Sequence, residues 1–280
     1  MAKRNRATRQ AQRAARGPVT WKRVTVAAAV ALVLPLAAVA AFFVLSGSDS
    51  EPPGPPRAVI VDQLSLTAPN PSFAEEATAM LQRAGYTVDY IPGEEVTVEL
   101  YRELPNQGYD ILLVRAHAAD ANISNPDDDV VSLFTSQRPT EDDGYRDERT
   151  KRFLKGVGYS EEQMQNGDIY YGVPPAFVRE RMKGNLDGAT VILMGCDVLR
   201  VDSMGEAFVE RGAGVVVGWD ETVSASHTDA ATLDMLRRML EEGVAVEDAV
   251  AATMEELGPD PYYGSTLVSY PLERAAGVAD

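Results

Sequence analysis

The chain's only cysteine and one of its two histidines each stand at the end of an apolar, strand-like segment. His117 ends YDILLVRAH, and Cys196 ends TVILMGC. A thiol becomes a nucleophile when a base or a positive neighbour removes its proton, and histidine titrates in the range that suits this base. Ligands of open α/β sheets bind beyond the carboxyl ends of the strands. The two residues are therefore predicted to face one crevice as a cysteine–histidine pair.

Further candidates follow the strand-like segment VVVGW. Trp219 ends this segment, and Asp220 and Glu221 come next, so all three are candidates to line the crevice and bind a ligand. Gly195 permits a tight turn that would aim the amide of Cys196 at an oxyanion. Each candidate also has an alternative interpretation. Cys196 is then a buried and inert thiol, and Asp220 and Glu221 are solvated acids of a surface loop.

His227 is the rival base. It precedes Thr228 and Asp229, which resemble the first residues of a helix. A histidine in that position is typical of a surface or capping residue, although its loop would still border the predicted crevice. His117 is therefore the preferred base.

No metal or cofactor is predicted. The acidic runs Asp127–Asp129 and Glu141–Asp143 supply the oxygen ligands that calcium prefers, but they lack the spaced pattern of an EF-hand loop. Nitrogen and sulfur ligands are too few for zinc. The chain has neither a GxxxxGK phosphate-binding loop nor a G-x-S-x-G turn. Dependence on calcium is left open.

The charge is divided between two parts of the chain. Before Asp49 there are eight basic residues and no acidic one, whereas the remainder carries 18 basic and 42 acidic residues, a net charge of −24. A body this acidic repels nucleic-acid phosphates, so DNA and RNA are not expected as partners. The charge favours cationic ligands, or it serves solubility alone.

Residues 24–45 contain no charged side chain over 22 positions. A helix of that length crosses a hydrocarbon core of roughly 30 Å, and membrane helices tolerate a mid-span proline. The basic residues before this segment predict a cytoplasmic N-terminus and an extracytoplasmic body. A cleaved signal peptide is the competing interpretation, although its apolar core is normally about 7–15 residues. Either way the body is exported, and its lone cysteine forms no internal disulfide.

The predicted organisation is a basic cytoplasmic tail at 1–23, a transmembrane helix at 24–45, a proline-rich linker at 46–57 and one domain at 58–280. Alternating strand-like and helix-like segments predict an α/β fold, with a mainly parallel sheet covered by helices on both faces. Residues 119–150 are the least regular part and are predicted to form a lid or a mobile surface loop. Strands are predicted at 58–63, 86–90, 109–117, 190–196, 215–219 and 265–270, and helices at 71–85, 97–108, 203–214, 227–243 and 246–258.

A histidine at the end of one core strand, followed by a small residue and cysteine at the end of the next, resembles the caspase-like cysteine peptidases. That group includes caspases, gingipains, clostripain, separases and CHAT-domain proteins. The segments LMGCDVL and GAGVVVGWDETVSASHTDAATLDMLRRMLEEGVAVEDAV are most similar to the C-terminal part of a CHAT domain. The resemblance covers about residues 58–275 and is most specific from Thr190 to Ala251.

The resemblance implies a role for each candidate residue. Cys196 would be the nucleophile and His117 the general base, with the amides of Cys196 and Ala118 forming the oxyanion hole. Asp220, with Glu221 in reserve, would receive a basic P1 residue of a peptide or protein substrate. Family members commonly have glycine where this chain has Ala118, so the loop after the histidine is expected to differ.

The expected function is a membrane-anchored, extracytoplasmic cysteine endopeptidase with a Cys–His dyad. The alternative is a caspase-like domain without activity that serves as an interaction or sensing module on the cell surface. The resemblance implies the caspase-like fold and the peptidase activity, whereas the strand pattern alone predicts the α/β class and the shared crevice.

Overall fold

The computed structural model describes residues 54–120 and 131–271. The predicted cytoplasmic tail, the predicted membrane helix and the first part of the predicted linker lie outside these ranges. Within the described ranges, no helix is long and apolar enough to cross a bilayer. The predicted domain is described except for residues 121–130 and 272–280.

Strands in the described part of the chain form one six-stranded and one four-stranded sheet. They are β1 (Arg57–Asp62), β2 (Thr87–Pro92), β3 (Ile111–Arg115), β4 (Ala118–Asp120), β5 (Val131–Phe134), β6 (Lys155–Val157), β7 (Tyr170–Val173), β8 (Thr190–Leu193), β9 (Val215–Trp219) and β10 (Leu267–Tyr270). The larger sheet has the order β10-β9-β8-β3-β1-β2. All its neighbours run parallel except β9 and β10, so the predicted mainly parallel sheet is confirmed.

Helices pack on both faces of the larger sheet. One buried cluster joins the sheet to the helices Pro71–Arg83, Ala225–Leu240 and Val246–Leu257. A second joins it to the helices Val98–Glu103, Pro175–Arg181 and Ser203–Glu210. Successive strand residues alternate between them, since Val59 and Val61 belong to one cluster and Ala58 and Ile60 to the other. The helices are α1 (Pro71–Arg83), α2 (Val98–Glu103), α3 (Arg146–Thr150), α4 (Glu161–Gln165), α5 (Pro175–Arg181), α6 (Ser203–Glu210), α7 (Ala225–Leu240) and α8 (Val246–Leu257).

The first helix shows how local sequence sets an element. The Asn70 side chain accepts a hydrogen bond from the N–H of Phe73, and Pro71 occupies the first turn, where its missing N–H costs nothing. Gly85 follows the helix with φ of 94°, a conformation that glycine adopts without strain. The predicted start at Pro71 is confirmed, and the helix ends at Arg83, two residues before the predicted stop.

The two strands that carry the candidate site are shorter than predicted. β3 ends at Arg115 and β8 at Leu193, so His117 and Cys196 lie in the turns just beyond them. The turns that follow the two strands pack against one another at Gly195. The site therefore belongs to the loops at the carboxyl edge of the sheet.

The smaller sheet corrects the expectation that residues 119–150 are irregular. Its strands run antiparallel in the order β4-β5-β7-β6, and β4 begins directly after His117. Each strand has only three or four residues, too few for a clear period-two pattern in the sequence. The acidic run Asp127–Asp129 lies outside the described residues. His117 consequently stands where the chain passes from one sheet to the other.

Candidate active site at the carboxyl edge of the larger sheet

His117 and Cys196 occupy matching positions after adjacent parallel strands. Val114 pairs with Leu193, and each candidate residue follows three positions later. Gly195 fits closely between the turns, because a β-carbon there would lie 2.8 Å from the carbonyl oxygen of Ala116. The structure thus brings the two chain segments into contact, as expected from the parallel strand ends.

The backbone amide of Ala118 faces this contact. Ala118 pairs with Leu133 across an antiparallel ladder, and the N–H of Phe134 donates to the carbonyl of His117 at 2.9 Å. That bond makes Ala118 and Leu133 a non-hydrogen-bonded pair, so the amide of Ala118 points away from β5. A β-carbon on Gly195 would stand 3.2 Å from this nitrogen. The Ala118 nitrogen therefore lies close to the turn that carries Cys196, and its N–H is not used in the ladder with β5.

Neighbours from three segments hold His117. Its N–H donates to the side-chain oxygen of Gln63 at 3.1 Å, and its Nε2 hydrogen-bonds with the hydroxyl of Thr67 at 2.9 Å. Its ring packs against Tyr159 and Phe134, with centroid separations of 5.0 and 5.7 Å. Gln63 also donates to the hydroxyl of Tyr159, so one buried amide connects the backbone and the ring neighbour of the histidine.

The electrostatic surroundings of His117 favour a neutral ring. Burial, together with the positive charge of Arg115, lowers the pKa of His117 from 6.5 to about 4. At neutral pH the imidazole is therefore uncharged and one ring nitrogen is able to accept a proton. This is the protonation state that a general base requires.

A buried ion cluster is centred on Arg115, two residues before the histidine. The guanidinium of Arg115 is fully buried and donates to Asp62 at 2.8 Å and to both oxygens of Asp229 at 2.7 and 2.9 Å. It also donates to the carbonyl of Ala68. Burial works against the charge of Arg115, but the hydrogen bonds with the two carboxylates outweigh it and raise its pKa. Sequence reasoning missed this cluster, although charged residues ending the apolar strands β1 and β3 were a visible signal.

The thiol of Cys196 is half-buried against the core. It donates to the carbonyl of Val223 at 3.6 Å and accepts from the Val223 N–H at 3.5 Å. Burial raises the pKa of Cys196, the Val223 amide opposes that shift, and the carboxylates of Asp197 and Asp260 add to it. The thiol and the imidazole thus hydrogen-bond to different partners in this structure, and both are uncharged at neutral pH.

The turn after Cys196 is sharp. Asp197 has φ of 59°, a left-handed conformation that costs a non-glycine residue of order 1–3 kcal/mol. The turn is held because the Asp197 N–H donates to the carbonyl of Glu221 at 3.0 Å and its carboxylate accepts from the hydroxyl of Thr222. In the described part of the chain, the N–H of Cys196 donates to no backbone carbonyl.

The predicted ligand-binding residues after β9 have different surroundings. Asp220 accepts hydrogen bonds at both carboxylate oxygens, from the amide and the hydroxyl of Thr266. Trp219 is fully buried, and its indole N–H donates to Thr228 at 2.8 Å, so it has no surface to offer a ligand in this structure. Glu221 is exposed next to the turn of Cys196. Of the three, only Glu221 is an exposed side chain that has no hydrogen-bond partner among residues 54–120 and 131–271.

His227, the rival base, hydrogen-bonds with a partner other than the thiol. It is in the first turn of α7, as its predicted helix-terminal position implies. Its Nε2 is 3.2 Å from the carbonyl oxygen of Gly258, and its ring packs against Trp219 at 5.4 Å between centroids. These contacts give the rival base a structural role.

No model of a known protein family matches this chain. A search of curated protein sequences likewise finds no relative. The assignment of a function therefore rests on the residues of the site and their geometry.

Among the described residues, no group of three or more histidine, cysteine or acidic side chains is arranged to hold a metal ion. In the acidic run Glu141–Asp143, Asp143 is the residue whose carboxylate accepts several hydrogen bonds from other described residues. Burial would raise its pKa, but hydrogen bonds from Tyr171 and from the amides of Thr140 and Tyr145 lower the pKa of Asp143 to about 2. This carboxylate stabilises the loop beside the smaller sheet.

Proposed function

We propose that this chain is a caspase-like cysteine endopeptidase. The observation that carries the proposal is the matched placement of His117 and Cys196, three residues beyond the paired strand positions Val114 and Leu193, with the two turns in contact at Gly195. This placement brings a thiol, an imidazole and a backbone amide to one edge of the sheet, which supports the proposal. The proposed membrane anchor is residues 24–45, with the domain on the extracytoplasmic side.

Each group has a defined part in the proposed reaction. The neutral imidazole of His117 takes the thiol proton of Cys196 as the sulfur attacks the scissile carbonyl carbon. The amide of Ala118, with that of Cys196, donates to the resulting oxyanion. The imidazolium then protonates the leaving amine, which leaves a thioester on Cys196. Water activated by His117 hydrolyses this thioester and restores the enzyme.

The structure corresponds to a resting state in this proposal. The thiol is held by Val223 and the imidazole by Thr67, so each side chain must leave its partner before a proton passes between them. Side chains interconvert among staggered rotamers, and a bound substrate that displaces these two hydrogen bonds would favour the reactive arrangement.

A second candidate function is an inactive caspase-like module that binds a partner at the cell surface. The same two hydrogen bonds favour it, together with burial that raises the pKa of Cys196. A thiol that stays protonated and points at Val223 has no way to attack a peptide. The two functions differ in one measurable property, covalent reaction at the thiol.

The deciding experiment uses a peptidyl acyloxymethyl ketone, which alkylates an activated cysteine, on the full-length chain under reducing conditions. Labelling is expected for the native protein, absent for Cys196→Ala, and slower by at least about 100-fold for His117→Ala, since a general base typically contributes 10²–10⁴-fold. His227→Gln is the matched control and keeps its labelling rate. A folded native protein that stays unlabelled contradicts the peptidase and favours the inactive module.

A further inference from the structure

A cavity of about 490 Å³ lies between α1, the loop that follows β1 and the edge strand β2. The loop contributes Ser65 and Pro69 to its wall, the strand contributes Tyr90, and most of the remaining lining comes from α1. Concave sites of about 300–1,000 Å³ that are mainly apolar and carry a few polar groups are typical of small-molecule binding. Neither His117 nor Cys196 lines this cavity, so it is separate from the candidate active site.

One face of α1 forms the apolar wall. Phe73 and Ala77 are buried against the sheet, whereas Ala74, Thr78 and Ala79 are only half-buried. The helix residues that line the cavity are at positions 71, 74, 75, 78, 79 and 82. Their spacing of three and four residues places them on one side of the helix. Because alanine side chains are short, this side of α1 leaves room for a ligand and offers it an apolar surface.

Three polar side chains on the same face are available to a ligand. Glu75, Thr78 and Gln82 line the cavity, and none of the three side chains has a hydrogen-bond partner in the part of the chain that the structure describes. Glu75 and Gln82 are exposed. Among the described residues that line the cavity there is no lysine or arginine, so the Glu75 carboxylate has no positive neighbour in the wall.

Buried side chains fix the other walls. The hydroxyl of Tyr90 donates to Asp62 at 3.0 Å, and Asp62 also binds the buried guanidinium of Arg115. Asn70, at the start of α1, donates to Asp229 of the same ion cluster at 2.9 Å. Tyr90 is nevertheless 42% exposed. A site with walls held in this way loses less entropy when a ligand binds.

We propose that this cavity binds a small amphipathic amine, whose apolar part packs against Tyr90 and the alanines of α1 and whose ammonium pairs with the carboxylate of Glu75. An anionic ligand would be repelled by Glu75 and by the excess of acidic residues after position 49. A neutral ligand would leave the carboxylate without an ion pair. The site goes beyond the proposed peptidase, since it shares no lining residue with the Cys–His pair.

Fluorine NMR of the full-length Cys196→Ala chain, labelled with 3-fluorotyrosine in neutral detergent, tests the site. The Tyr90 signal is assigned with Tyr90→Phe. The probes are phenethylamine and phenethyl alcohol, which has a hydroxyl in place of the ammonium. Both should shift the Tyr90 signal, and the ratio of their affinities should favour the amine. If neither probe shifts the Tyr90 signal, the proposal is overturned.

Variants locate the charge preference. Glu75→Gln is expected to lower the amine-to-alcohol affinity ratio about threefold to fivefold, the contribution of one ion pair. Glu76→Gln is the matched control, because it removes an adjacent exposed carboxylate that does not line the cavity. Uptake of the probes by the detergent cancels when variants are compared. A ratio that Glu75→Gln leaves unchanged contradicts the assignment.

Filling the cavity tests where the apolar part binds. Ala79→Phe places a ring in the cavity and should abolish the effect of both probes on Tyr90. Ala84→Phe is the control, because residue 84 is exposed just after the end of α1 and does not line the cavity. Binding of either probe that persists in a folded Ala79→Phe variant counts against this cavity.

The binding measurement and the labelling experiment fail independently, because the thiol is absent from the binding measurement. If the peptidyl probe does not label Cys196 but the amine binds with dependence on Glu75, the cavity site stands and the peptidase falls. If labelling succeeds and the amine does not bind, the peptidase stands and the cavity site falls.

Discussion

Gly195 lies so close to Ala118 that a β-carbon on residue 195 would stand 2.7 Å from the β-carbon of Ala118. The carbonyl oxygen of Ala116 would be 2.8 Å from the same added atom. Both separations are too short for real carbon contacts, so only glycine permits this approach of the two turns. The pairing of the candidate nucleophile with the candidate base depends on it.

Gly195→Ala is therefore expected to push the turn of Cys196 away from that of His117 and to lower the free energy of unfolding by about 1–3 kcal/mol, the usual cost of overpacking. Labelling of Cys196 by the peptidyl probe should fall at the same time. Gly54→Ala is the matched control, because nothing lies within 4 Å of an added β-carbon there. Equal urea midpoints for the two variants would contradict the close-contact argument.

Arg115→Met should be strongly destabilising. The change leaves the buried carboxylates of Asp62 and Asp229 without their shared partner, and breaking a buried ion pair typically costs about 3–5 kcal/mol. Urea unfolding measures the loss. The control is Arg83→Met, which breaks an exposed pair with Glu241 and should cost about 1 kcal/mol or less. Similar losses in the free energy of unfolding for both variants would contradict a special stabilising role of the buried cluster around Arg115.

His117 should make stability depend on pH between about 4 and 6.5. Its pKa in the folded protein is about 4 against 6.5 for the free side chain, so within this window the unfolded chain binds more protons. The contribution is fully present above 6.5 and is lost as the pH falls to 4, by up to about 3 kcal/mol. The measurable quantity is the difference in unfolding free energy between the native protein and His117→Gln as the pH is varied.

In that comparison the native protein should lose stability relative to His117→Gln as the pH falls. A difference in unfolding free energy between the native protein and His117→Gln that stays constant across this range would contradict the lowered pKa of His117 in the folded protein.

The alkylation of Cys196 by iodoacetamide should rise with pH and reach its midpoint above the 9.0 of an ordinary thiol, because burial raises the pKa of this group. A thiolate–imidazolium pair would instead give a plateau of reactivity at low pH. The chain has one cysteine, so the measured rate belongs to it alone. A midpoint below that of glutathione in parallel reactions would contradict the neutral resting state.

The sequence by itself determined the α/β class and the edge at which the candidate site lies. Runs of buried β-branched residues produce strands, helices between them force parallel connections, and parallel strands end at one edge. His117 and Cys196 follow from that pattern because their positions depend on local periodicity and on chain direction. The start of α1 at Asn70 and Pro71 was equally readable, since capping is a local interaction.

The tertiary structure alone decided which side chains touch. Arg115 contacts Asp62 across 53 residues and Asp229 across 114 residues, and no local pattern encodes such separations. The smaller sheet, with strands of three or four residues, takes its order from pairing between distant segments. The commitment of Asp220 to Thr266, the burial of Trp219 and the contact of the His117 ring with Thr67 all depend on packing between elements, which periodicity does not specify.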